Sequence, residues 1–337
     1  MKIPYVNLSK QYLKERKKLL LVIDKVLESG QYVGGDQVKK FEKNISSLLK
    51  VKHCIALNSG TDALTLGLHS LGVRRDDEVI TTSNSFIAST AVIVHLGAKP
   101  VFVDVKQDQS IDPDLIEKSI TKKTKAIMVV HLTGRISDMD RIIPISKKYK
   151  IPIIEDAAQA IGSELNNKKP GHYSDIATFS THPLKILNAI GDGGFLITND
   201  KEAYEKINKY RNHGMIARDT YEFYGVNSRM DALSAAVVNY RLGKTKSIIE
   251  KRKHNIDLYK SNIKTKNFKF IEQKEDEIES YTMFVSIAED RDGLQKYLSE
   301  NDVQSLVYYG TPLHLQNASK KHGYKKGDFP KAEYLCD

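Results

Sequence analysis

Short apolar runs separated by helix-length amphipathic stretches dominate the first part of this chain. The runs lie at 54–57, 78–81, 100–104, 126–131, 152–155, 176–180 and 195–198, and helical patterns at 61–71, 89–96, 113–119 and 137–149 separate the first five. A strand that is apolar on both faces must be covered on both faces, and helices alternating with strands provide that cover. The pattern predicts one large α/β sheet of seven strands. After residue 198 the rhythm changes. A helix is expected over 201–211, then one long helical pattern over 231–263 with Ala232, Leu233, Ala236, Val237 and Tyr240 on one face. Short strands return at 268–271, 281–287 and 305–309, with a helix at 293–300. This divides the chain into a large domain, 1–245, and a smaller α+β domain, 246–337.

The composition excludes several classes. With 40% hydrophobic and 28% charged residues the chain suits a soluble globular protein, and no apolar run reaches membrane-spanning length. The opening M-K-I-P-Y-V-N-L lacks the apolar core of a signal peptide, so a cytoplasmic location is expected. Two cysteines, Cys54 and Cys336, make no disulfide framework and no metal-ligand spacing. The net charge of +10 suits either an anionic substrate or a generally lysine-rich surface. Its lysines are scattered and no nucleic-acid motif accompanies them, so neither a nucleic-acid partner nor a membrane is expected.

Ligand sites in open α/β sheets gather beyond the carboxyl ends of the strands. The most informative such place is 176–198, where a buried strand, a polar turn holding Lys185, the glycine-rich G-D-G-G at 191–194 and a second strand follow one another. A lysine between apolar walls can be uncharged and nucleophilic, as imine chemistry requires; the other reading is an exposed loop lysine. Ser180, five residues earlier, can face the same cavity. N-S-G-T-D at 58–62 leaves one strand and opens a helix, so the amides at Gly60 and Thr61 can bind phosphate, or Thr61 is only the helix cap. Phe86 can stack on a flat ring or fill the core. Asp156 and Gln159, at the tip of an apolar strand, can hold a ring nitrogen and a ring oxygen, or Asp156 caps the next helix. Asn227 lies in a polar loop before the long helix. A phosphate cradle, a stacking ring, an aspartate and a lysine amine, in this order, match the needs of pyridoxal 5'-phosphate.

With these residues in place, the chain resembles the DegT/DnrJ/EryC1/StrS sugar aminotransferases, a branch of the fold-type I pyridoxal-phosphate enzymes. Further matching motifs are S-G-Q-Y-V-G-G at 29–35, H-L-T-G-R-I-S-D-M at 131–139 and R-N-H-G at 211–214. The resemblance implies a mostly parallel sheet in the large domain. It implies that Lys185 binds the cofactor covalently and carries the proton between cofactor and substrate carbons. Asp156 is expected at the pyridine nitrogen, Gln159 at the ring oxygen, Phe86 on the ring face, and Gly60, Thr61 and Ser180 at the phosphate. Asn227 is expected to reach the phosphate of a neighbouring subunit, which implies a homodimer with shared sites. Tyr309 and His314 are expected near the sugar-nucleotide pocket.

The implied reaction moves an amine, from glutamate, to a nucleotide-linked keto-deoxysugar used in surface-polysaccharide or secondary-metabolite synthesis. Asp192 within 191–194, and N-S-R-M-D at 227–231, lean towards a 3-keto sugar. The alternatives are a 4-keto sugar aminotransferase and a non-catalytic or regulatory protein of the same fold. The chain departs from the family pattern at Ile186, Ser234, Thr133 and Tyr308, and these departures bear on the substrate pocket. The chain stops at K-A-E-Y-L-C-D, where the family continues with an S-L-P segment and a helix, so the smaller domain is expected to lack its last piece.

Overall fold

The computed structural model describes residues 2–337. The chain opens with two helices, α1 (Leu8–Ser29) and α2 (Gly35–Leu49). The sheet region follows as β1 (His53–Leu57), α3 (Gly60–Ser70), β2 (Glu78–Thr82), α4 (Ala88–His95), β3 (Lys99–Val103), α5 (Pro113–Ile116), β4 (Thr124–Val130), α6 (Met139–Tyr149), β5 (Ile153–Asp156), the short β6 (Glu164–Leu165), β7 (Ile176–Ser180) and β8 (Gly194–Thr198). Then come α7 (Lys201–Tyr210), a hairpin of β9 (Met215–Ala217) and β10 (Thr220–Tyr221), α8 (Ala232–Leu242) and α9 (Thr245–Asn262). The last part holds β11 (Phe268–Phe270), β12 (Glu277–Ile278), β13 (Ser286–Ala288), α10 (Arg291–Glu300) and α11 (Pro330–Cys336).

The expected sheet forms, with seven strands in the order β1-β8-β7-β5-β4-β2-β3. The block from β7 to β3 is parallel, and β8 runs antiparallel between β7 and β1. Both faces are covered. On one, Phe41 and Ile45 of α2 and Val238 of α8 meet Phe179 and Phe195. On the other, Leu64 and Leu68 of α3 and Ile93 of α4 meet Val79, Ile154 and Ile176. A third cluster lies beneath α5 and α6, where Ile116 and Ile142 cover Ile80 and Ile127. Burial on both faces removes the need for polar alternation, which is why the strands read as plain apolar runs.

Three expectations change. The pattern over 231–263 is two helices, because α8 ends at Gly243 and α9 restarts at Thr245. Glycine disfavours a helix interior by about 1 kcal/mol, and the Lys244 amine is drawn aside to Glu15 at 3.0 Å and to the Tyr240 hydroxyl at 2.6 Å. The strand expected over 281–287 survives only as β13, since Arg252 claims the carbonyls of Tyr281 and Thr282 at 2.8 and 2.7 Å. No strand forms at 305–309.

The end of the chain returns to the sheet. Leu313, Phe329 and Ala332 pack on Phe102 in β3 and Val105 just past it, and the Asp104 carboxylate accepts the Lys331 and Ala332 amides at 3.0 and 2.8 Å. A carboxylate there compensates the open N–H groups of α11. Among the described residues no helix is long and apolar enough to cross a membrane.

Candidate active site

Lys185 sits in the connection between β7 and β8. Thr181 N donates to the Gly193 carbonyl (2.8 Å), Ala189 N to the Thr181 carbonyl (2.7 Å) and Lys185 N to the His182 carbonyl (2.8 Å), so the turn is tied at both ends and in the middle. Ile186 and Leu187 are buried beside Phe179 and Ala189, which anchors the turn on the core and leaves the lysine side chain half-buried above it. Ile186, a departure from the family pattern, is therefore a packing anchor. Among the described residues the Lys185 amine makes no hydrogen bond or ion pair. Burial lowers its pKa, and the facing Asp156 carboxylate partly opposes that shift. A lysine with a depressed pKa has a larger neutral, nucleophilic fraction near pH 7.

Asp156 ends β5 and is buried. Its Oδ1 accepts from the Ala158 amide at 3.2 Å and its Oδ2 from Ser89 Oγ at 3.1 Å. Burial raises its pKa, while those two hydrogen bonds, Lys185 and His131 lower it. A cationic ring nitrogen opposite this carboxylate supplies the charge that favours the ionised form. Gln159 lies one turn onward. Its Oε1 accepts from the Thr133 amide at 2.8 Å, and its Nε2 donates to the Tyr308 hydroxyl at 3.1 Å. Tyr309 O–H donates to Tyr308 at 2.8 Å, and its ring lies 6.3 Å from the Phe86 ring.

The close approach of chain segments around Gly60 is visible in what it excludes. Gly60 opens α3, and a Cβ there would lie 2.9 Å from the Ser180 Cβ. A Cβ on Gly194 would lie 2.4 Å from the Gly60 nitrogen, so glycine lets the three chain segments meet. Ser59, not Thr61, caps α3: its side chain accepts the Asp62 amide at 3.0 Å. That corrects the capping alternative for Thr61, which is exposed at the helix N-terminus. The Gly60 and Thr61 amides take no partner among the described residues, and free amides at a helix N-terminus are an anion site. Ser180 receives the His182 amide at 3.2 Å, leaving its own O–H to give. The residues present fit pyridoxal phosphate: an open amide pair with a hydroxyl, a buried carboxylate and an unpartnered amine.

Phe86 is 55% exposed, so the core reading of that ring is overturned and its face is open to a ligand. Asn227 is exposed, with its Oδ1 accepting from Arg229 Nε at 3.0 Å, and it touches none of the residues above. His314 is buried against Phe329, with Nε2 3.0 Å from Glu333 Oε1. The structure does not bring it into contact with Tyr309 or Phe86. Two partners escaped the sequence reading as site residues. Ser89 contacts Asp156 across 67 positions, and Tyr308 contacts Gln159 across 149. Beside the site, His131 is fully buried with Nε2 2.6 Å from Glu155, while its Nδ1 accepts the Ser137 amide at 3.2 Å. That acceptance places the ring proton on Nε2, facing the carboxylate.

A parallel-sheet edge carrying this lysine, carboxylate and phosphate cradle defines a fold-type I pyridoxal-phosphate-dependent transferase. The model of the DegT/DnrJ/EryC1/StrS aminotransferase family matches residues 14–337, and the chain belongs to that family. It is 38% identical to dTDP-3-amino-3,6-dideoxy-alpha-D-galactopyranose transaminase of Aneurinibacillus thermoaerophilus, over 99% of this chain and 92% of that one. It is also 38% identical to the pleiotropic regulatory protein of Geobacillus stearothermophilus, over 99% of this chain and 91% of that one. The structure of S. venezuelae DesV in complex with a ketimine intermediate superposes with a TM-score of 0.96 at 32% identity, covering 99% of this chain and 91% of that one. Solved structures of this fold include PLP and PMP forms.

Proposed function

We propose that this protein transfers the amino group of glutamate to the 3-keto group of a nucleotide-linked deoxysugar. The observation that carries the reading is the unpartnered Lys185 amine facing buried Asp156, beside the Gly60–Ser180 cradle. When bound, pyridoxal phosphate supplies an electron sink that lets an amine pass between two carbonyl compounds. The residues around it do the rest. Asp156 keeps a proton on the ring nitrogen. The Gly60 and Thr61 amides and the Ser180 hydroxyl hold the phosphate, Gln159 Nε2 reaches the ring oxygen, and Phe86 covers one face. Lys185 Nζ, its pKa lowered by burial, moves the proton at the reacting carbon.

Tyr309 lines the sugar side. Next to His314, Leu313 N donates to the Ser83 carbonyl at 2.8 Å, which ties that segment to the strand end beside the site. The 3-keto preference is supported by the Aneurinibacillus relative, named for a 3-amino sugar, and by Asp192 in the glycine loop. A dimer with shared sites is supported by the apolar side chains exposed around Asn227: Ile216, Tyr221, Val226 and the 100% exposed Tyr224. A second copy covering them brings Asn227 to its neighbour's phosphate. The regulatory reading leaves the retained Lys185 and Asp156 without a task.

The test is incubation with glutamate and dTDP-linked 3-keto and 4-keto sugars, read by mass spectrometry. The 3-amino product is expected. Amination of the 4-keto sugar alone moves the position, and amination of neither with any amino donor ends the proposal.

A further inference from the structure

Asp156 must hold a charge against burial, and the structure gives it a hydroxyl to which the sequence motifs assign no role. Ser89, in the first turn of α4, is fully buried. Its Oγ lies 3.1 Å from Asp156 Oδ2 and 3.1 Å from the Phe86 carbonyl oxygen. Ser85 Oγ lies 2.8 Å from the same Ser89 oxygen, and it too is buried. A serine has one proton to give and two lone pairs to receive with. Ser89 therefore donates to only one of its two acceptors at a time. Facing an ionised Asp156 it donates to Oδ2 and receives the Ser85 proton. Facing a protonated Asp156 it turns to the Phe86 carbonyl and accepts instead. Only the first arrangement hydrogen-bonds the carboxylate at both oxygens, with the Ala158 amide on Oδ1.

We propose that Ser89, with Ser85 behind it, is a positioning residue that holds Asp156 as a carboxylate aimed at the pyridine nitrogen of the cofactor. The inference rests on the assignment of pyridoxal phosphate to this site. The other titratable groups that face Asp156 are Lys185, His131, Tyr308 and Tyr309. None of them is hydrogen-bonded to its carboxylate among the described residues. The imidazole of His131 is taken by Glu155 and Ser137, and the two tyrosine hydroxyls meet each other and Gln159. Among the described residues Ser89 is thus the one side chain that hydrogen-bonds the Asp156 carboxylate. A charge-assisted hydrogen bond of this kind outweighs a neutral one and counters the burial that pushes the carboxyl towards protonation.

The test uses the protein loaded with ring-15N-labelled pyridoxal phosphate, comparing wild type with Ser89→Ala, Ser85→Ala and Ser89→Thr. The readouts are the 15N shift of the ring nitrogen and the cofactor dissociation constant from an absorbance titration. In the wild type the ring nitrogen is protonated at pH 7. Ser89→Ala moves its shift towards the unprotonated value and weakens cofactor binding about tenfold. Ser85→Ala does the same to a smaller extent, and Ser89→Thr, which keeps the hydroxyl, restores both. An unchanged nitrogen shift in folded Ser89→Ala overturns the proposal. If that variant does not fold, an unchanged shift in Ser85→Ala overturns it. A wild type that binds no pyridoxal phosphate ends the cofactor assignment itself, which separates the two failures.

Discussion

The carboxyl edge of the sheet and the join between the sheet and the later segments treat their polar groups in opposite ways. At the edge, groups are left short of partners among the described residues: the half-buried Lys185 amine, and the buried Thr181 Oγ1, Ser83 Oγ and both amide atoms of Asn84. At the join, groups saturate one another. Arg135 pairs with Glu279 and lies 3.8 Å from Glu277, and it donates to the Glu272 carbonyl at 2.7 Å. Ser280 and Thr282 both donate to the Gln159 carbonyl, at 2.7 and 2.6 Å. An unmade hydrogen bond on a buried group costs about 1–3 kcal/mol, so such groups persist where a ligand completes them. A saturated network needs no ligand, and its task is to hold segments together.

The difference can be broken most sharply at Lys185. Lys185→Ala removes the amine proposed to move the proton, and turnover should fall by roughly 10^4-fold or more, while the melting temperature of the cofactor-free protein stays level or rises. A large loss of stability there would place Lys185 among the structural groups. Arg135→Met should do the reverse. It leaves Glu279 and Glu277 uncompensated in a buried place, for a loss of about 3–5 kcal/mol in denaturant unfolding. Adding Glu279→Leu should return part of that loss, and no recovery would contradict the pairing.

Gly194→Ala tests the cradle. Its Cβ meets backbone at 2.4 Å, so a destabilisation of about 1–3 kcal/mol is expected together with weakened phosphate binding. Unchanged affinity for pyridoxal phosphate would separate this strand start from the cofactor.

The smallest effect is expected at His69 in α3, whose ring lies 4.4 Å from the Tyr210 ring at a tilt of 51°. Burial, with Arg74 and Lys206 adding, lowers its pKa from 6.5 to about 4. The folded state therefore binds fewer protons than the unfolded chain between those values. The stability this residue contributes is complete above pH 6.5 and is lost as pH falls towards 4. His69→Gln should flatten that acid limb in unfolding free energies measured from pH 7 to 4.5, and identical slopes would refute the shift.

How legible each region was follows from the same contrast. The β7 boundaries at 176–180 were readable directly, and the other sheet strands to within about two residues, because burial on both faces leaves an uninterrupted apolar run. Helices α1 and α2 left no clear reading, since α1 exposes Leu13, Leu20 and Leu21 among its charges and so blurs its stripe. The region after Gly243 was read worst. Its backbone acceptors there go to side chains such as Arg252, a competition that periodicity does not record. Lys185 and Asp156 stood out because strand ends place them. Ser89 and Tyr308 did not, because their significance lies in contacts with residues far along the chain. His314 could be placed near the pocket in sequence, yet the fold turns it into the packing around Phe329.

One amine among many is singled out by its place in the fold. Borohydride reduction of the protein incubated with pyridoxal phosphate, followed by digestion and mass mapping, tests it most directly. One dominant pyridoxyl adduct is expected, on the peptide carrying Lys185, with its loss in Lys185→Ala. An adduct spread over surface lysines, or centred on any other lysine, would contradict it.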